Sequence, residues 1–368
     1  MFSKLKLLKL FDKLLGTIFS KLVKFFVRPN KISNNQHSKF LIIRPGGIGD
    51  AVLLFPAIEI LKTNYPNSQI DILAEKRNAG VFKFCSKISN LFVYDSLNFL
   101  KIFKTSYDVV IDTEQWHKLS SVVGYLTKSP VRIGFNTNNR SDLHTASVDY
   151  DQNDYEAESF INLIENICDV VEDFNPDKQF IFLNDTENYS DQFNSLNNIS
   201  DINVGIFFGA TVDERKWGIQ NFSDLEKKLI EKGFKVIVLG GESDKKDMVE
   251  FKKNINSKSE ILDFVGKTSL KETAYIISKL DLLVSGDSGL MHLAYGLGTK
   301  TLSLFGAGIE EKWAPKGINN HIINKNISCS PCTSFGYTPK CPYKIRCLSE
   351  ISVDEVFSKT LNILNSNN

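Results

Sequence analysis

From residue 39 onward the chain alternates short apolar runs with stretches of helical periodicity, and it does so in two blocks separated by a polar run at 184–203. Such alternation points to parallel sheets built from βαβ units, because a parallel neighbour needs a crossover long enough to hold a helix. In the first block the pattern predicts strands at 40–44, 70–73, 91–94, 108–111 and 132–135, with a helix over 50–64. In the second it predicts strands at 204–208, 235–239, 261–264, 282–284 and 301–305. One of the intervening helices opens with the capping box Ser269-Leu270-Lys271-Glu272. The expected fold is α/β, two Rossmann-like halves facing a cleft, with ligands outside the carboxyl ends of the strands. A length of 368 residues suits two domains at roughly 100 to 200 residues each. Their expected extents are 39–190 and 200–350, followed by a C-terminal helix over 351–368 that crosses back.

Charge narrows the partners. Lys plus Arg total 44 against 43 for Asp plus Glu, a net charge of +1, so the chain lacks the basic excess of a nucleic-acid binder. Its 42% apolar and 24% charged composition is that of a packed globular protein. No cleavable signal is expected at the N-terminus, since Lys is scattered through it and it lacks a small-residue cleavage site. A cytoplasmic location is expected.

Residues 1–30 read as a basic amphipathic helix. Leu7, Leu8, Phe11, Leu14, Leu15, Ile18, Phe19, Leu22, Phe25 and Phe26 form one stripe at 3.6 residues per turn. Lys6, Lys9, Lys13, Lys21, Lys24 and Arg28 fall opposite it, with Asp12 the only acid. This pattern suits an in-plane anchor on an anionic membrane surface. A helix packing its stripe on the domain is the alternative, but Pro29, Asn30 and the polar run 33–38 read as a linker detaching it.

Four loops carry the candidate chemistry. The first strand runs into Arg44-Pro45-Gly46-Gly47-Ile48-Gly49-Asp50 and a helix, where glycines allow close approach and helix N–H groups favour anions. The loop has neither the Lys-Ser/Thr pair of a Walker loop nor the spacing of the dinucleotide fingerprint. Ser285-Gly286-Asp287-Ser288-Gly289-Leu290-Met291-His292 ends a buried strand and opens a helix, so the amides of Ser288, Gly289 and Leu290 can face a phosphate, with His292 one turn in. Gly209-Ala210-Thr211-Val212-Asp213-Glu214-Arg215-Lys216-Trp217 places a hydroxyl and two cations at a strand end, a set suited to a diphosphate. Gly240-Gly241-Glu242 follows the next strand, where an acid can accept from ribose hydroxyls.

Taken in order, these segments resemble glycosyltransferase family 9, the ADP-heptose lipopolysaccharide heptosyltransferases, most specifically in Asp287-Ser288-Gly289-Leu290-Met291-His292-Leu293-Ala294. The resemblance spans residue 39 to the C-terminus. It implies a GT-B fold and an inverting enzyme, independent of metal or other cofactor, that moves heptose from ADP-heptose to a hydroxyl of the lipopolysaccharide inner core or another glycan. It implies Asp50 as general base on the acceptor, with Gly46, Gly47, Gly49, Glu114, His117 and Lys118 on the acceptor side. Thr211, Arg215 or Lys216 and the 288–290 amides would hold the diphosphate, Asp287 and His292 would lie near the donor sugar, and Glu242 near ribose. The family carries Lys where this chain has Arg215, leaving the choice between the two cations open, and the N-terminal helix extends beyond the family pattern. Such an enzyme would work in the cytoplasm at the inner-membrane surface. A GT-B transferase using another nucleotide sugar, or an inactive membrane-tethered nucleotide-binding protein, is the alternative.

Two further patterns remain. Asp149-Tyr150-Asp151 spells the D-x-D of metal-dependent transferases but is expected only to cap a helix starting near Tyr155. Cys329, Cys332, Cys341 and Cys347 form a closely spaced quartet compatible with structural zinc, a disulfide or free thiols.

Overall fold

Strands in both halves form where Val, Ile and Leu run together, as strands covered on both faces require. The computed structural model describes residues 12, 16–26, 37–183, 193, 196, 202–256 and 260–366. They belong to two compact units, Met1–Phe174 and Asn175–Asn368.

In the first unit β1 (Lys39–Arg44), β2 (Gln69–Ala74), β3 (Asn90–Val93), β4 (Val109–Asp112), β5 (Val131–Phe135) and β6 (Ala146–Val148) make one parallel sheet in the order β3-β2-β1-β4-β5-β6. In the second, β7 (Asn203–Phe207), β8 (Lys235–Val238), β9 (Ile261–Asp263), β10 (Leu282–Gly286), β11 (Thr301–Phe305) and β12 (Asn320–Asn324) are ordered β12-β11-β10-β7-β8-β9, also all parallel. The second order is the first repeated. In each sheet the winding reverses beside the unit's first and fourth strands, β1 and β4 or β7 and β10, and their carboxyl ends bound the crevice where such sheets take ligands.

The expected strands are present, and β6 and β12 are additions. The expected helix over 50–64 divides into Ile48–Leu53 and Phe55–Asn64. Pro56, near the start of the second helix, has no N–H with which to continue the ladder. The capping box forms: the Ser269 amide donates to Glu272 Oε2 at 2.7 Å, and the Glu272 amide donates to Ser269 Oγ at 3.3 Å.

The unit boundary falls earlier than the polar run. The amides of Phe180 and Ile181 donate to Gly296 O at 3.1 and 2.8 Å, which ties residues 175–183 to the second unit. Of the expected linker, 184–192, 194–195 and 197–201 lie outside the described residues. The final helix, Val353–Asn365, packs on helix Ile219–Glu231 within the second unit, burying Val356 and Ile363. Trp217 fixes the approach to it, its Nε1–H donating to Ile351 O at 2.9 Å.

The N-terminal helix is docked, contrary to the expectation of a detached one. Helix Thr17–Phe26 lies against helix Lys118–Leu126, with Val23 packed among Val122, Tyr125 and Leu143. Asp12 accepts from the amides of Lys118 and Leu119 at 3.2 and 2.8 Å, satisfying two of that helix's unpaired N–H groups. The face carrying Ile18, Phe19 and Leu22 is exposed. Residues 1–11, 13–15 and 27–36, including Leu7, Leu8, Phe11, Leu14 and Leu15 of the stripe, lie outside the described residues. No helix among the described residues is long and apolar enough to cross a membrane.

Candidate active site

In the first unit the crevice is organised by a buried cation. Arg44 ends β1, and its Nη1 donates to Thr113 O at 2.8 Å while its Nε donates to Pro45 O. Its Nη2 lies 3.8 Å from Asp50 Oδ2 and 3.9 Å from Glu114 Oε2. Burial works against the charge, but the carboxylates of Asp50 and Glu114 outweigh it and hold the guanidinium above its ordinary pKa. Gly46 is required here on two counts. Its φ is +114°, and a Cβ would stand 2.9 Å from Arg44 Nη2. Gly47 is the N-cap of helix Ile48–Leu53, Gly49 lies within the first turn, and Asp50 is the acid of that turn.

The other expected acceptor-side residues are engaged in holding the chain. Glu114 Oε1 accepts from the amides of Gln115, Trp116 and His117 at 3.1, 3.0 and 3.3 Å, so this carboxylate shapes the β4 loop from beneath. His117 precedes helix Lys118–Leu126, and its Nδ1 lies 3.3 Å from Asp12 Oδ2. Lys118 Nζ donates to Thr17 Oγ1 at 3.2 Å. Burial would raise the Asp12 carboxyl, but the His117 ring and the Leu119 and Lys118 amides bring it below the usual range.

Sequence reasoning passed over Arg44 as a site residue, although a lone cation ending an apolar strand was a usable signal. It also missed the support under the β4 loop. Arg140 Nη2 meets Asp112 Oδ2 at 2.6 Å, with both residues buried, and its Nη1 donates to Glu114 O. Burial pushes Asp112 up, yet Arg140, His144 and Ser121 hold it well below the usual carboxylate range.

In the second unit the loops after β7 and β10 meet. Arg215 Nη1 lies 3.0 Å from Asp287 Oδ2, and its Nη2 reaches Thr338 Oγ1 at 3.2 Å and Thr333 Oγ1 at 3.5 Å. Thr333 and Thr338 lie in the cysteine-rich stretch, beyond the reach of local pattern reading. Lys216 is committed elsewhere, its Nζ 3.1 Å from both Asp213 and Asp247. Burial lowers its pKa, but the hydrogen bonds to Asp247 and Asp213 prevail and raise it. Of the two candidate cations, Arg215 is therefore the one placed beside the β10 loop.

Ser288 caps helix Gly289–Gly296, its Oγ accepting from the Met291 amide at 3.3 Å. The first N–H groups of a helix, here those of Gly289 and Leu290, have no intrahelical acceptor and carry the positive end of its dipole. His292 is buried in the same helix. Thr211 is exposed in the bend after β7. Glu242 is also exposed, paired with Lys245 at 2.8 Å at the start of the turn after β8. The structure thus brings Arg215, Asp287 and the Ser288 cap together in the second unit, and Asp50 and Glu114 around Arg44 in the first.

All six cysteines are free thiols. Cys329, Cys332, Cys341 and Cys347 line one pocket with Glu214 and Arg346, and burial raises the Cys347 thiol to about 11. No set of three or more His, Cys, Asp or Glu side chains among the described residues is arranged to hold a metal. The D-x-D segment is not a helix cap. Asp151 closes a turn on the Asn153 amide at 2.9 Å, and Tyr155 precedes helix Glu156–Ile164.

Comparison with known proteins gives a concordant picture. Residues 99–341 match the family described as glycosyltransferase family 9 (heptosyltransferase). Lipopolysaccharide heptosyltransferase 3 of Escherichia coli (strain K12) is 25% identical over 295 residues, covering 73% of this chain and 82% of that protein. A glycosyl transferase family 9 structure from Veillonella parvula DSM 2008 superposes with a TM-score of 0.74 at 19% identity, over 92% of this chain and 100% of that one. The ADP-heptose lps heptosyltransferase II structure from E. coli gives 0.71 at 20% identity, over 89% and 99%.

Proposed function

Since the chain belongs to glycosyltransferase family 9, and is a GT-B glycosyltransferase on that ground, we propose that it transfers heptose from ADP-heptose to a hydroxyl of the lipopolysaccharide inner core. The observation that carries the reading is the division of labour between the two crevices. The first unit offers an accessible carboxylate, Asp50, on the accessible side of a buried arginine. The second offers a partly accessible arginine, Arg215, beside the capped start of helix Gly289–Gly296.

In this mechanism Asp50 takes the proton from the acceptor hydroxyl as its oxygen bonds to the anomeric carbon. The bond from that carbon to the β-phosphate oxygen breaks with inversion, and its electron pair leaves with ADP. Arg215 and the Gly289 and Leu290 amides receive the charge that develops on the diphosphate. Those groups supply the compensation a cation would give, so the transfer is read as needing no metal. Thr211, Glu242, Asp287 and His292 are assigned to the donor side, with Asp287 orienting Arg215, while Lys216 is held by Asp213 and Asp247. Gly46, Gly47, Gly49, Glu114, His117 and Lys118 shape the acceptor side. The work is placed in the cytoplasm at the inner-membrane surface, where helix Thr17–Phe26 keeps an exposed apolar face.

The test is incubation of the full chain with ADP-heptose and heptose-deficient core, beside a panel of other nucleotide sugars. Heptose transfer with release of ADP supports the reading. Transfer from another donor only assigns a different sugar, and ADP binding without transfer makes the chain a binding module.

A further inference from the structure

The 3₁₀ helix Leu97–Lys104, which follows β3, has no part in the chemistry above. At three residues per turn, side chains at i and i+3 eclipse, so the segment has three ridges. Phe99 and Ile102 point inward, Ile102 fully buried among Leu41, Ile43, Leu73, Phe92, Tyr107 and Val110. Asn98, Lys101 and Lys104 form the second ridge, both lysines exposed. Leu97, Leu100 and Phe103 form the third, and these apolar side chains are 85%, 46% and 36% exposed.

An apolar ridge left in water beside a basic one fits a surface that is apolar within and anionic at its edge. The location agrees. Phe99 and Ile102 share their cluster with Val123 of helix Lys118–Leu126, and Val23 packs on Val122 and Tyr125 of that same helix. The 3₁₀ helix and helix Thr17–Phe26 therefore lie on one side of the first sheet, each with exposed apolar residues and exposed lysine: Ile18, Phe19, Leu22 and Lys21 on one, Leu97, Leu100, Phe103, Lys101 and Lys104 on the other.

We propose that Leu97, Leu100 and Phe103 insert into an anionic phospholipid surface, with Lys101 and Lys104 on its headgroups, as a second membrane contact beside helix Thr17–Phe26. The contact requires no step of sugar transfer and is measured without donor or acceptor, so failure of the proposed reaction leaves it standing.

The experiment uses the full chain and vesicles of phosphatidylethanolamine with phosphatidylglycerol, against pure phosphatidylcholine. The expected result is binding to the anionic vesicles and slowed amide exchange across residues 97–104 when they are added. Combined Leu97→Ser, Leu100→Ser and Phe103→Ser should weaken partitioning by about tenfold or more, at roughly 25 cal/mol per Å² of apolar area. Lys101→Gln with Lys104→Gln should weaken it about threefold or more and flatten its salt dependence. Thermal melting checks that each variant folds. If the triple variant does not, Leu97→Ser alone, at the most exposed position, should still lower partitioning about twofold or more. Unchanged binding and exchange in the folded variants would overturn the proposal. So would a vesicle-free dimer of the wild type that the apolar substitutions dissolve, since the ridge would then be a protein interface.

Discussion

Each unit places an arginine against an aspartate at the carboxyl ends of its central strands, Arg44 and Asp50 both at the end of β1, Arg215 and Asp287 after β7 and β10, and burial is distributed oppositely. Side-chain exposure is 1% for Arg44 and 25% for Asp50, but 19% for Arg215 and 7% for Asp287. In the first unit the cation is sunk and the acid faces outward; in the second the acid is sunk and the cation is the more accessible partner. One fold order thus yields a crevice with an outward carboxylate and a crevice with a more accessible guanidinium. The sign is decided by local sequence. Arg44 is the last residue of β1 itself and enters the sheet's interior, whereas Arg215 comes from the 3₁₀ turn Asp213–Arg215 beyond β7.

The contrast is most severely tested by removing each arginine. Arg44→Met leaves Asp50 and Glu114 beside an uncharged, buried neighbour, and should lower stability by about 3–5 kcal/mol in denaturant unfolding. Arg215→Met removes a partly solvated cation but leaves the buried Asp287 carboxylate without it, and should lower stability by about 1–3 kcal/mol, less than at Arg44. Equal losses would remove the burial distinction. Asp112→Asn, which strands Arg140, should also cost about 3–5 kcal/mol near neutral pH. Because Asp112 is held below its ordinary value, its contribution is complete above about pH 4 and is lost as pH falls through the native value. The gap between wild type and Asp112→Asn should therefore narrow on acidification below about pH 4, and a gap that widens there would show the sign to be wrong.

Function separates the crevices next. Asp50→Asn keeps shape but cannot take a proton, and turnover should fall roughly a hundredfold or more with ADP affinity nearly unchanged and the fold retained, Glu114 still facing Arg44. Near wild-type turnover would leave Asp50 a helix-start residue. On the proposed assignment of the diphosphate to Arg215, Arg215→Ala should lower ADP affinity about tenfold to a hundredfold, the equivalent of roughly 1.5–3 kcal/mol. Lys216→Ala should change it less than about threefold, because that ammonium already serves Asp213 and Asp247. The reverse order would return the diphosphate to Lys216.

The sequence showed the sheets clearly, because central strands of parallel sheets are unbroken apolar runs. It did not show β6 or β12. The first is three residues of half-exposed edge strand, and the second is built on Asn320, His321 and Asn324. The loops bearing Asp50, Arg215 and Asp287 were legible from glycine and charge at strand ends. The separate partners of Arg215 and Lys216 were not, since Thr333, Thr338 and Asp247 are distant in sequence. Glu114 and His117 looked free for an acceptor because a sequence cannot show that backbone amides and Asp12 already hold them.

That grip of Asp12 on the amides of Lys118 and Leu119 governs where the polypeptide can be shortened. The basic N-terminal segment invites removal as a tail, to obtain a better-behaved core for crystals or assays. A cut after Arg28 would also extract the carboxylate that caps helix Lys118–Leu126 and pairs with His117, and would uncover Val122 and Tyr125 beneath Val23. The shortened protein would begin life with an unsealed helix end, typically a loss of about 1 kcal/mol, beside the loop that follows β4. Release of such a fragment from lipid would then mix two effects, lost greasy surface and a frayed helix. Polar replacement of Ile18, Phe19 and Leu22 within the intact chain keeps the seal and changes only the surface.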